Sequence, residues 1–287
     1  MLKRKPVHTV LINCAAALLM LFILLPFVWL FISSISPKVE LIAVPPHWIP
    51  QNPTGDNYLK LLRASDATLM MGEMPEFEVA LINSAIVALS ATSICVVVGI
   101  LAAYAFARLR FWMKHQMMLT IIGLRMLPEI ALVLPLYMIM RIVGMADTKM
   151  FLIIVYSSFV LPFVIWILKG YFETIPVEME EAALIDGAGR LSIIWNIVIP
   201  MSLPGIITTV IFAILACWDE FLFALIFTAT YNSKTLTVAI SEFTTRHMLD
   251  YGLMTTGGVI ASLPPILIAM LLQKYIISGL TEGSVKE

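Results

Sequence analysis

Apolar residues in this chain gather in long unbroken stretches, not in the short alternating runs of a soluble sheet or the one-sided stripes of a soluble helix. Crossing the hydrocarbon core of a bilayer takes roughly 20 apolar residues in a helix. Six stretches meet that length, at about 9–34, 80–106, 116–141, 150–169, 203–229 and 254–278. The pattern predicts an all-α membrane protein with six transmembrane helices forming one membrane domain over 1–287. Pro26, Gly99, Pro128, Pro135, Pro162 and Pro264-Pro265 fall inside these stretches. Membrane helices tolerate them, because neighbouring helices and side chains take over the freed backbone groups. Two polar segments interrupt the apolar pattern. One, about 35–79, carries Pro45-Pro46-His47-Trp48-Ile49-Pro50 and Asn57-Tyr58 and reads as an ordered cap at a membrane interface, the depth that Trp and Tyr favour. The other, 171–202, is a charged island between the fourth and fifth stretches.

Composition agrees. Hydrophobic residues make up 60% and charged residues 13% of the 287, with mean hydropathy +0.96. A soluble domain is about half apolar and a quarter charged, so the excess must face lipid. A net charge of -1 offers nothing to a nucleic acid. Cys14, Cys95 and Cys217 lie inside apolar runs without CxxC spacing and read as buried small hydrophobes. The four histidines (His8, His47, His115 and His247) are scattered, with no HExxH, no GxSxG and no phosphate-binding GxxxxGK[ST]. No catalytic residue, metal ligand or cofactor of the chain's own is therefore expected. The run after Lys3-Arg4-Lys5 is too long for a signal peptide and is expected to stay as an anchor. Lys and Arg concentrate before the first stretch, in the short second connection (Arg108, Arg110, Lys114), around the island (Lys169, Arg190) and at Lys274 and Lys286. The positive-inside rule puts these regions, and both termini, in the cytoplasm.

The island reads as helix, turn, helix. Thr174 is a candidate N-cap, and Pro176 suits a first turn, where its missing N–H costs little. Glu178, Glu180 and Glu181 lie near the positive helix end. Gly187 suits a left-handed stop, and a second amphipathic segment, about Arg190 to Val198, is expected to end at Pro200. Such a peg could dock in a groove of a soluble partner, with Ala182, Ala183, Leu184 and Ile185 as apolar contact. It could equally lie flat on lipid.

The order Glu181-Ala182-Ala183, three residues to Gly187, then Ile197 and Ile199-Pro200, closely resembles the EAA loop of binding-protein-dependent ABC importers. Ile199 stands where that pattern has leucine. The likeness continues through Asn83-Ser84, Ala102–Arg108, Arg125–Pro128, Leu134–Tyr137, Gly144–Thr148, Trp218–Phe221 and Gly279–Lys286. The chain is identified as similar to the second permease subunit of the carbohydrate-uptake, maltose-type branch, in which Asn is commoner at the position of Asp219. The resemblance implies the type I ABC importer permease fold with a cytoplasmic EAA coupling helix, in a bacterial inner membrane. It implies a sugar, oligosaccharide or polyol as cargo. It also implies a heterodimer with a second permease, two ABC ATPase subunits that bind ATP and Mg, and an extracytoplasmic solute-binding protein touching the loop 230–253. Glu180, Glu181, Ala182, Ala183, Asp186, Gly187 and Pro200 are then the ATPase-coupling residues.

Ionisable groups at bilayer depth usually mark a pathway or a pair. Arg125 and Glu129, four apart, read either as a self-neutralising helical pair or as pore-lining groups. Asp219 and Glu220 fall midway in the fifth stretch and project about 100° apart. Tyr137, Phe163, Trp218 and Phe221 could stack on sugar rings or simply pack. Arg125, Glu129, Tyr137, Trp218, Asp219 and Glu220 are the translocation-path candidates. The rival reading is a proton-coupled secondary transporter working through Glu129, Asp219 and Glu220. Against it, six spans are few and no inverted repeat is apparent.

Overall fold

A computed structural model describes residues 6–45, 47–62, 76–243 and 250–282, and these described residues hold thirteen helices and no strand. Lys3, Arg4, Lys5, Pro46, Arg246, His247 and the tail from Gly283 lie outside the described residues, as do 63–75 of the long polar segment. The helices are α1 (Pro6–Ser34), α2 (Lys38–Leu41), α3 (Asp56–Leu62), α4 (Glu76–Arg108), α5 (Lys114–Leu124), α6 (Glu129–Ile142) and α7 (Lys149–Thr174). Then come α8 (Val177–Ile185), α9 (Arg190–Met201), α10 (Leu203–Trp218), α11 (Leu222–Phe227), α12 (Leu236–Glu242) and α13 (Tyr251–Glu282).

Among the described residues, four helical segments are long and apolar enough to cross a membrane unaided: Val10–Ser34, Glu76–Arg108, Lys149–Thr174 and Tyr251–Tyr275. The third apolar stretch is not one helix. It breaks between α5 and α6, which meet at 93°, because Pro128 cannot continue the ladder and the residue before a proline is pushed out of the helical region. The fifth stretch also breaks. Its helix α10 stops at Trp218, and α11 resumes at Leu222. At the other end, α9 and α10 meet at 83° around Ser202. Counting each bent pair as one span brings the total to six.

The chain divides into two units, Met1–Phe77 with Ala239–Leu263, and Glu78–Val238 with Pro264–Glu287. In the first, α1 is apolar and, from Val10 to Val28, exposed around its circumference, as expected of a helix surrounded by lipid. Its C-terminal carbonyls are closed by the buried Asn57, whose Nδ2 donates to the Ser34 carbonyl at 2.9 Å and the Ser36 carbonyl at 3.2 Å. Tyr58 meets the Ser34 hydroxyl at 2.7 Å, so the Asn57-Tyr58 pair anchors the polar segment. Glu40 folds the Pro-rich stretch by accepting from the amides of Gln51 and Asn52.

The second unit is built around α7, whose buried face meets α10. Gly99 of α4 lies so close to α7 that an added Cβ would stand 2.5 Å from Val164 Cγ1. Gly205 of α10 takes the ring of Tyr171 in the same way. Small residues at crossings are how membrane helices approach closely. Cys95 and Cys217 are buried here as expected, whereas Cys14 is exposed on α1, where apolarity and not packing suits it.

Candidate coupling and translocation sites

The charged island folds as a peg. Thr174 does not cap it: its hydroxyl donates back to the Tyr171 carbonyl at 2.7 Å and finishes α7. The extended Pro176 is the cap residue instead, and α8 starts at Val177. The end of α8 is a Schellman stop. The Ala188 amide donates to the Ala183 carbonyl at 2.9 Å, and the Gly187 amide to the Leu184 carbonyl at 3.1 Å. Gly187 has φ +83°, while a Cβ there would meet nothing within 4 Å. Glycine is needed for the sign of φ and not for space.

The second arm ends at Met201, one residue beyond the stop that the sequence reading put at Pro200. It is α-helical to Ile193, π-helical over Ile194–Val198, and helical again to Met201. Pro200 has no N–H to give the carbonyl four residues back, and its ring would crowd it; the wider π turn immediately before absorbs both. Glu178, Glu181, Ala182, Leu184, Ile185, Asp186, Gly187 and Pro200 are exposed, and Ala183 is half-buried. Leu191 and Trp195 add exposed apolar surface from the second arm, which the sequence signalled only as amphipathic periodicity.

Glu180 belongs to a different group. It is buried, so it is not part of the exposed face. Arg108 at the end of α4 donates from Nε to Glu180 Oε1 at 2.6 Å, and Tyr104 donates to Oε2 at 3.0 Å. Arg108 Nη2 also donates to the Ile175 carbonyl at 2.7 Å. Both carboxylate oxygens and two guanidinium nitrogens are thus satisfied, the condition under which a buried ion pair is tolerable. The sequence placed Arg108 among the cytoplasmic charges and in the Ala102–Arg108 likeness but gave it no partner, because nothing local distinguishes one glutamate of Glu178, Glu180 and Glu181 from another.

A second polar cluster gathers at the start of α4. Asn83, almost wholly buried, donates from Nδ2 to the carbonyls of Tyr231 and Lys234 at 2.8 and 3.0 Å and accepts from Lys149 Nζ at 3.0 Å. The Ser84 hydroxyl accepts from the Leu236 amide at 2.8 Å. Asp147, at φ +57°, accepts from the Ala229 amide at 2.7 Å, the Thr230 amide at 3.2 Å, the Thr230 hydroxyl at 2.7 Å and the Ser233 hydroxyl. Partial burial pushes its carboxyl upward, but those four donors outweigh burial and hold it below the usual carboxylate value. Thr148 caps α7 by accepting from the Phe151 amide at 3.3 Å. The segment between α11 and α12 is therefore fixed by side chains from α4, α7 and the turn before α7.

The path candidates separate. Arg125 and Glu129 do not form the helical pair: the break places one at the end of α5 and the other at the start of α6. The ion pairs found among the described residues include neither. Arg125 instead donates from Nη1 to the Phe159 carbonyl at 2.6 Å and lies 5.8 Å from the centroid of the Phe163 ring. Glu129 and Tyr137 are exposed on α6. Trp218 is buried and unavailable for stacking. Asp219 and Glu220 sit at a helix break, not midway in a helix. Asp219 is exposed, while Glu220 folds back to accept from the Phe223 and Ala224 amides at 2.7 and 3.1 Å. The Glu220 carbonyl accepts from Thr237 Oγ1 at 2.8 Å.

The chain belongs to the family of binding-protein-dependent transport system inner membrane components, whose model matches residues 95–282. It is 33% identical over 286 residues to the trehalose/maltose transport system permease protein MalG of Thermococcus litoralis, covering 99% of each chain. It is 36% identical over 267 residues to the trehalose transport system permease protein SugB of Mycobacterium tuberculosis, covering 92% of this chain and 93% of that one. Its fold matches a chain of a bacterial ABC transporter that imports the acidic polysaccharide alginate, with a TM-score of 0.77 at 19% identity, covering 96% and 99% of the two chains.

Proposed function

We propose that this chain is the permease subunit of an ABC importer for a sugar, oligosaccharide or polyol, and that α8–α9 is the peg by which a separate ATPase drives it. The observation that carries this reading is the construction of the peg. A Schellman stop at Gly187 sets the angle between its arms, and Glu180 ties it inward to Arg108. Glu181, Ala182, Ile185 and Asp186 are left facing outward. A helix resting on lipid needs neither the tie nor the stop.

In this reading 171–202 and both termini are cytoplasmic. A second, related permease completes the pathway, two ATPase subunits bind ATP and Mg, and an external solute-binding protein meets the loop 230–253. The sugar assignment draws on the relatives named for trehalose and maltose transport.

Affinity purification of the tagged chain from its native membrane in mild detergent, with mass spectrometry of what accompanies it, is the test. A second permease and an ATPase with a phosphate-binding loop are expected, the ATPase being lost on Gly187→Val. A chain that purifies alone, or whose transport ignores that substitution, would overturn the reading.

A further inference from the structure

We propose that α4 is a tie rod that joins the α8 peg to the segment between α11 and α12, so that movement at one end is delivered to the other. The proposal rests on the reading of α8–α9 as the ATPase-docking peg. Three observations carry it.

Both ends of α4 are clamped by buried polar side chains. At one end Tyr104 and Arg108 hold Glu180 and the Ile175 carbonyl. At the other, Asn83 holds the carbonyls of Tyr231 and Lys234, and Ser84 holds the Leu236 amide. Buried polar groups do not slide, because a lost partner leaves a desolvated group unpaired. The clamps are also far apart. Asn83 and Arg108 are separated by 25 positions along one continuous helix, about 37 Å at 1.5 Å per residue. The third observation is the lack of an internal proline in α4. Of the four helices able to span alone, the other three contain proline (Pro26, Pro162, Pro264 and Pro265), and α4 contains none. A helix without an internal proline keeps its whole hydrogen-bond ladder and transmits tilt instead of bending. Glu180, Arg108, Tyr104, Asn83 and Ser84 are thus positioning residues, which act through α4.

The experiment compares uptake per ATP hydrolysed in proteoliposomes containing the whole purified complex, with copurification of the ATPase measured on the same samples. Glu180→Gln removes the charge from the clamp at one end, and Asn83→Ala removes the anchor to the Tyr231 and Lys234 carbonyls at the other. Val97→Gly with Val98→Gly softens the middle at two residues that are not buried and touch neither clamp. All three are expected to cut uptake per ATP at least tenfold while the ATPase still copurifies. Exchanging the charges (Arg108→Glu with Glu180→Arg) is expected to recover a large part of the loss caused by Arg108→Glu alone.

Hydrogen exchange of 228–236 gives a readout independent of transport. It should respond to ATP in the wild-type complex and cease to respond when the middle is softened. Uptake per ATP within twofold of wild type for the softened helix, or an unchanged exchange response in it, overturns the tie rod. Loss of the ATPase from Glu180→Gln also overturns it, by making Glu180 a docking group. Absence of an ATPase from the wild-type purification is a different result, and sinks the proposed function and the tie rod together.

Discussion

Asp147 and Ala229 lie 82 positions apart in the chain and meet at 2.7 Å, carboxylate to backbone amide. The same carboxylate collects Thr230 and Ser233, so one side chain fixes the start of the segment that precedes α12. Its acidity is shifted below the ordinary 3.8 by those donors. A carboxyl that is more acidic folded than unfolded stabilises the fold fully above the unfolded value and loses that contribution as pH falls through the lower, folded one. Thermal unfolding of the purified complex should therefore weaken below about pH 4 in part through this group. Asp147→Asn should lower stability at neutral pH by on the order of 1 kcal/mol, since the site is partly solvated, and should flatten the acid limb. Identical acid limbs in the two proteins would remove the role.

At Gly187 the constraint is conformational. Alanine should cost about 1 kcal/mol, and valine more, because a β-branched residue resists positive φ. Asparagine should be tolerated best, since it visits the left-handed region most readily among residues with a Cβ. The expected ranking of uptake is Gly, Asn, Ala, Val at equal membrane abundance. Equal uptake in the valine variant would show that the turn is not needed.

Much of this fold was legible from the sequence because lipid imposes a crude requirement, long apolar helices, which composition reveals directly. The turn at Gly187 was legible too, because a left-handed stop has a local residue signature. What escaped was long-range. Glu180 and Glu181 are chemically identical neighbours, and only the position of Arg108, 72 residues earlier, assigns one inward and leaves the other exposed. The breaks at Pro128 and Asp219 escaped as well. Proline is tolerated in membrane helices at Pro26 and Pro162, so its presence alone cannot say which helix breaks.

Neighbouring glutamates should give opposite results. Glu180→Ala strands a nearly buried guanidinium and should destabilise the protein by about 3 kcal/mol or more. Glu181 is exposed and makes no hydrogen bond or ion pair among the described residues, so Glu181→Ala should leave the unfolding midpoint unchanged. Its expected effect is weaker ATPase retention on purification. A stable Glu180→Ala protein, or full retention by Glu181→Ala, would contradict this division.

Gly205 should not accept a methyl group. An alanine Cβ would stand 2.4 Å from the Tyr171 ring, a rigid neighbour that cannot fold away as a flexible chain end could. Overpacking of this kind costs about 1–3 kcal/mol. Gly205→Ala should lower the unfolding midpoint by several degrees, and Tyr171→Leu in the same chain should recover part of it. No recovery would mean that the ring is not the obstacle.

Arg125 and Glu129 test whether the helix break persists in the working protein. In an unbroken helix their spacing would make them a pair, and removing both would cost less than the sum of removing each. In the structure Arg125 spends its guanidinium on the Phe159 carbonyl, and Glu129 lies beyond a 93° bend. Arg125→Ala should therefore destabilise by about 1 kcal/mol, since the hydrogen bond from this charged donor is exposed. Glu129→Gln should neither rescue nor deepen that loss. A double-mutant cycle on unfolding stability should give a coupling energy below about 0.5 kcal/mol. A coupling well above about 1 kcal/mol would restore the continuous helix, and with it the self-neutralised pair. If coupling is absent while Arg125→Lys keeps uptake and Arg125→Ala loses it, the cation is needed where α5 ends, at the one place where the third span opens its backbone.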